Sequence, residues 1–298
     1  DGTDRTGSRP VFTVDVDRYE MNAAEELKVT LRYQQESGAE ILKHFLFKRG
    51  SYLVQLEYEI AAAEDQEWRG ALFTQIKRDG QMPFSFSESM MGMRPYVGGA
   101  TRSGDELYRK LEFDDLEDES YKLTREDGYI ALVEHYFVTA WVPADGEVNN
   151  YQARKLKGQD LYLFGFTTPA ISVPAAGRST LGAQYYVGPK DQYVMREIAE
   201  GLELTVDYGF LWWLAQPLFY LLTVLHSVVG NWGVAIILLT VIVKALLFPL
   251  SAASFKSMAK MRKLQPEMAR LKERYGEDRQ KFSQATMDLY KKEGANPL

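Results

Sequence analysis

Positions 208 to 243 carry no charged side chain, and this gap constrains the fold more than any other feature of the chain. It also divides the charge. Up to Asp207 there are 23 Lys and Arg against 35 Asp and Glu, a balance of −12, whereas Ser251 to Leu298 has 11 against 6, or +5, with Lys244 standing between. Cytoplasmic flanks of a spanning helix collect Lys and Arg. An acidic body, an apolar band and a basic tail therefore place residues 1–207 outside the cytoplasm and 251–298 inside it.

The body reads as β-structure. Tyr52, Val54, Leu56, Tyr58 and Ile60 alternate with Gln55, Glu57 and Glu59, the period of a strand with one buried face. Comparable runs are Val29 to Tyr33, Ile41 to Phe47, Ala71 to Ile76, Tyr129 to Val142 and Leu161 to Phe166. Turn residues at Lys48-Arg49-Gly50, Arg78-Asp79-Gly80, Glu126-Asp127-Gly128 and Asp145-Gly146 separate them, which predicts an antiparallel sandwich or barrel. Before the apolar band, only Asp191 to Gly201 reads as a helix. The composition, 46% apolar and 26% charged, excludes a mainly disordered or collagen-like chain, and with no cysteine there is no disulfide or thiolate metal site.

Catalytic signals are weak in this body. Glu134 and His135 are adjacent, and on a strand they would point to opposite faces. The acidic run Asp114, Asp115, Glu117, Asp118 and Glu119 lacks the spacing and the Gly of a calcium loop and reads as a solvated turn. No phosphate loop, nucleophile elbow or zinc spacing occurs. The expectation is no enzyme, no metal and no cofactor.

The apolar band has two parts. From Phe210 to Val229, the polar residues Gln216, Tyr220, Thr223 and Ser227, continued by Asn231, are spaced 4, 3, 4 and 4 and form one stripe of a helix. With Pro217 suited to the first turn and Trp212-Trp213 before it, residues 208–231 read as an amphipathic helix lying in the outer interface. A second span, turning at Gly230-Asn231, is the rival reading. Residues 232–250 would rise roughly 28 Å as a helix, close to the ~30 Å hydrocarbon thickness. Within that span, Gly233, Ile237, Thr240 and Lys244 share one face. Lys244 either snorkels to the cytoplasm or faces a hydrated cavity, and spacing alone leaves the two even.

Residues 251–298 read as an antiparallel helical hairpin. Met261, Leu264, Met268, Leu271 and Tyr275 form one seam, while Phe282, Ala285 and Leu289 form the other. Gly276 suits a helix end, Glu277 and Asp278 suit the next start, and Pro266 should kink the first arm. Lys260, Arg262, Lys263, Arg270, Lys272 and Arg274 form its basic surface. This charge suits anionic lipid heads, ribosomal RNA or topology control, and there is no motif for reading DNA.

NWGVAIILLTVIVKALLFPLS, followed by SMAKMRKLQPEMARLKERYGEDRQKFSQATMDLYKKEGANPL, closely resembles the YidC family of bacterial membrane protein insertases. VDYGFLWWLAQPLFYLLTVLHSVVGNW resembles the family's passage from periplasmic domain to interfacial helix, and FLFKRGSYLVQLEYEI, YFVTAWVP and YYVGPK resemble its Gram-negative periplasmic domain. The resemblance implies a galactose-mutarotase-like β-supersandwich in the periplasm, an inner-membrane location and a hydrophilic intramembrane groove. Lys244 matches a groove cation that is usually Arg in the family, with Gly233, Ile237 and Thr240 on the same wall. It also implies nascent membrane proteins as substrates, the Sec translocon with SecD-SecF as partner, and a hairpin that engages the ribosome or targeting machinery. The polar, Met-less start and the end at Leu298 suggest a piece of a longer protein. A membrane-anchored periplasmic carbohydrate-binding or carbohydrate-active protein is the alternative.

Overall fold

The computed structural model describes residues 10–81, 96–104, 106–275 and 278–293. The chain forms two units, Asp1–Asp207 and Tyr208–Leu298. In the first, chain order runs β1 (Thr13–Val14), β2 (Glu26–Gln34), β3 (Glu40–Lys48), β4 (Leu53–Ala61), β5 (Trp68–Gly70), β6 (Ile76–Arg78), β7 (Gly98–Ser103) and β8 (Glu106–Leu111). A short helix, α1 (Phe113–Asp118), leads to β9 (Tyr121–Glu126), β10 (Ile130–Val133), β11 (Phe137–Pro143) and β12 (Val148–Lys155). Then come β13 (Tyr162–Thr167), β14 (Ile171–Val173), β15 (Arg178–Pro189) and helix α2 (Gln192–Ile198).

The strands build a nine-stranded sheet in the order β1-β2-β3-β4-β15-β11-β10-β7-β8, a four-stranded sheet β6-β13-β12-β9, and the ribbon β14-β5. One core packs Ile60, Ile130 and Leu181 of the large sheet with Tyr151, Phe164 and Phe166 of the small one and with Phe113 and Leu116 of α1. A second core includes Ala131, Val133, Ala140 and Tyr186, with Met195 of α2 and Leu202. Strand β10 is apolar throughout because Ile130 and Leu132 enter the first core and Ala131 and Val133 the second. This is the mainly-β sandwich that the alternation predicts.

Three local readings change. Ala71 to Ile76 is not one regular strand: only Ile76–Arg78 is, and the residues before it cross the end of β13. There the Thr74 N–H donates to the Phe166 carbonyl and the Thr168 N–H to the Leu72 carbonyl, both at 3.0 Å. Tyr129 to Val142 is a hairpin, folded back where the Glu134 N–H donates to the Phe137 carbonyl at 2.9 Å. The acidic run is a helix, not a turn, since Phe113 and Leu116 both enter the core.

Helix α2 begins where Asp191 accepts the N–H groups of Tyr193 and Val194, and it ends at Ile198, earlier than the expected Gly201.

The second unit has α3 (Trp212–Val229), α4 (Trp232–Tyr275) and α5 (Arg279–Glu293). Helix α3 ends at Gly230, whose φ of 66° is left-handed, and Asn231 restarts the chain by accepting the Val234 N–H at 3.2 Å. Pro217 lies in the second turn of α3 rather than the first. Helix α4 continues without a break through Leu250 and through both Pro249 and Pro266, so the change of composition at 250/251 is not a change of backbone. Gly276 and Glu277 lie outside the described residues. Asp278 caps α5 by accepting the Lys281 N–H at 3.1 Å, and this hydrogen bond lowers its pKa.

Candidate membrane-embedded site

Both α3 and α4 are long and apolar enough to cross a membrane by length and composition. Leu218, Leu222, Leu225 and Val229 of α3, spaced 4, 3 and 4, are half-buried, while Gln216, Tyr220 and Ser227 of its polar stripe are exposed. At the corner, the rings of His226 and Trp232 stack with centroids 3.8 Å apart. Within the apolar part of α4 the buried residue is Ala235, in the first turn after the corner, and α3 and α4 are in contact.

Ala235 orients the rest of the helix. At about 100° per residue, Gly233, Ile237, Thr240 and Lys244 lie roughly 140–180° around the axis from it. The structure brings these four residues together on one face, where each is exposed, as are most residues of the apolar part of α4. The Thr240 hydroxyl donates to the Ile236 carbonyl at 2.8 Å, so its proton is already used within the helix while its lone pairs remain available. The stripe therefore offers one cation, one hydroxyl acceptor and a glycine on a face turned away from Ala235.

The hairpin seams lie where the spacing placed them. Leu264 is buried, and Met261, Met268, Leu271 and Tyr275 are half-buried, as are Phe282, Ala285 and Leu289 of α5. The α5 seam is wider than expected, because Thr286 and Tyr290 are half-buried too. Of the basic residues, Lys260, Lys263, Arg270 and Arg274 share one stripe beside the seam. Arg262 and Lys272 fall on other faces, and Lys256, overlooked in the sequence, extends the stripe toward the apolar segment.

The body's tempting residues form no reaction centre. Glu134 and His135 lie in the hairpin turn rather than on a strand; Glu134 pairs with Arg78 at 3.0 Å and His135 stacks on Tyr136. Glu117 accepts from Lys155 at 2.6 Å and from Tyr162 at 2.9 Å. The hydrogen bond from Lys155 lowers the Glu117 pKa, and Glu117 raises that of Lys155 in return. Among the described residues, no group of three or more His, Asp or Glu converges as a metal site would require.

A β-sandwich followed by two helices apolar enough to cross a membrane, one carrying a cation opposite its buried residue, is the layout of an integral membrane protein with a large attached β-domain. The family model described as the YidC periplasmic domain matches residues 1–221, and that of the 60Kd inner membrane protein matches residues 224–298. The chain belongs to the YidC family of inner-membrane proteins. Relatives named membrane protein insertase YidC include those of Cellvibrio japonicus, 47% identical over the whole chain, Pseudomonas putida at 46% and Stutzerimonas stutzeri at 45%. The chain spans about half the length of the curated relatives it matches, 53% of each of these three. Solved structures similar to the β-domain include an α-galactosidase from Geobacillus stearothermophilus, with TM-score 0.43, 8% identity, and 63% of this chain and 27% of that one covered. Another is a galactose mutarotase related enzyme from Lactobacillus acidophilus, with TM-score 0.37, 9% identity, and 59% and 71% covered. The relatives are named for insertion and not for a reaction, so the carbohydrate alternative is not favoured.

Proposed function

We propose that this chain is part of a membrane protein insertase and supplies one wall of a hydrophilic groove within the bilayer. The observation that carries the reading is the position of Lys244, a cation within an apolar segment, in one stripe with Gly233, Ile237 and Thr240 on the side of α4 opposite its buried Ala235. Carrying a charged residue to the bilayer centre costs about 2.5–3.5 kcal/mol on insertion scales. A hydrated wall with a fixed cation shortens the hydrocarbon path for a substrate's acidic or polar segment. Partition of the substrate's apolar segment into lipid then supplies the drive. No covalent step is needed.

In this reading, residues 1–207 are periplasmic, 208–231 lie in the outer interface, 232–250 span the inner membrane and 251–298 are cytoplasmic. The polar stripe of Gln216, Tyr220 and Ser227, on a face apart from the half-buried Leu218, Leu222, Leu225 and Val229, supports an interfacial α3, and the basic stripe from Lys256 to Arg274 supports a cytoplasmic hairpin. Nascent membrane proteins are the substrates. The Sec translocon with SecD-SecF would be met from the periplasmic side, and the ribosome, targeting machinery and anionic lipids through the hairpin.

The test uses full-length protein in an insertion assay with two substrates, one with an acidic residue in its translocated segment and one without. Lys244→Ala should slow insertion of the acidic substrate about tenfold, the equivalent of one weak charge interaction, and spare the other, while Lys244→Arg restores it. Equal insertion of both substrates by all three proteins would remove the electrostatic role.

A further inference from the structure

One corner of the β-domain carries features that the insertion reading leaves unused. Tyr33, Ile41 and Ile60 stand opposite one another on β2, β3 and β4, and the next row on the same face is Leu31, Lys43 and Tyr58. Over this floor Phe12 leans on Tyr33, ring centroids 5.4 Å apart, and Trp68 is fixed by donating its indole N–H to Gln35 at 3.1 Å. With Ala71 and its neighbours they enclose a cavity of about 270 Å³.

Lys43 adjoins this cavity. Its ammonium lies 5.3 Å from the ring centre of Tyr58 and 6.0 Å from that of Phe12, both of which line the cavity, and 4.9 Å from Phe45. Among the described residues its partners are aromatic faces rather than a carboxylate. A cation held in this way at the edge of an apolar pocket selects a bulky apolar group beside a negative one.

Volume narrows the ligand further. Small-molecule sites run to roughly 300–1,000 Å³, so 270 Å³ suits one large side chain rather than a whole ligand. The remainder has to rest outside, where Val29 and Phe45, then Leu27 and Phe47, continue the same face of the sheet. Phe47 is 36% exposed. A buried anchor beside an apolar strip and a single charge is the layout by which one polypeptide holds another.

We propose that this corner binds a polypeptide segment. One large apolar side chain enters the cavity, a neighbouring Asp or Glu pairs with Lys43, and flanking apolar residues lie along the strip toward Phe47. The site is separate from Lys244 and does not rest on the insertion reading.

The test is fluorescence anisotropy on full-length protein in nanodiscs, with labelled peptides of alternating Phe and Glu or of alternating Phe and Lys. The Phe–Glu peptide should bind saturably. Lys43→Glu should weaken it at least about tenfold and favour the Phe–Lys peptide, as reversal of a contacting charge does. Ala71→Phe, which plugs the cavity from an exposed position, should abolish binding of both. Absent binding, or binding that either substitution leaves unchanged, overturns the proposal. So does displacement by laurate as effective as displacement by unlabelled peptide, which would assign the cavity to a lipid-like amphiphile.

Discussion

Gly165 shows how a single residue can decide a domain's construction. A Cβ added there would sit 1.9 Å from the Thr74 carbonyl oxygen, because the segment leading into β6 crosses directly over β13. The Thr74 hydroxyl donates to the Phe166 carbonyl and accepts the Phe166 N–H, fixing the crossing on both sides. Gly165→Ala should therefore lower the stability of the β-domain by about 2 kcal/mol, in the range of overpacked cores. A denaturant melt followed by tryptophan fluorescence checks this, and an unchanged midpoint would contradict it. None of this is legible in the local sequence. LYLFGFT reads as an ordinary buried strand, and the partner that requires the glycine lies far away in the chain. Lys244 is the opposite case: a cation in an otherwise apolar segment stands out without any structure, and what the structure adds is the direction it faces.

At the scale of elements, legibility followed periodicity. The five-residue seam from Met261 to Tyr275 was readable because a seven-residue repeat survives whatever surrounds it. The end of α4 was not, since a change from apolar to basic composition at Leu250 marks a change of solvent and says nothing about the backbone. Helix α4 crosses it unbroken. Strand β15 escaped for a different reason: Leu181 and Ala183 pack on one side and Tyr186 on the other, which blurs the alternation. The hairpin's stability can be assigned to its seam. Leu264 is 7% exposed, so Leu264→Ala should cost about 2.7 kcal/mol. That corresponds to roughly hundredfold faster hydrogen exchange of α5 amides. Exchange at the wild-type rate would mean that α5 is held by something other than this seam.

At the scale of the whole molecule, the charge layout was the strongest message in the chain. A balance of −12 before the apolar band and +5 after it predicts the orientation proposed above, and the family model matched by residues 1–221 is that of a periplasmic domain. The two family models meet inside α3, between residues 221 and 224, so the helix proposed to lie in the interface is also where the periplasmic model hands over to the membrane model. What the sequence left open was whether the face of Lys244 is wet or dry. Spacing places Gly233, Ile237, Thr240 and Lys244 together but does not identify their surroundings.

That question has a direct test: labelling Thr240→Cys with a membrane-impermeant thiol reagent added from the cytoplasmic side, in full-length protein cleared of other cysteines. Thr240 lies one turn deeper than Lys244, about 6 Å further from the cytoplasm, where a snorkelling lysine would not bring water. Rapid labelling is predicted, because a groove wall is hydrated at that depth. Protection of Thr240→Cys, with a control cysteine in the hairpin labelled at the normal rate, would mean that α4 is a dry anchor and would contradict the groove.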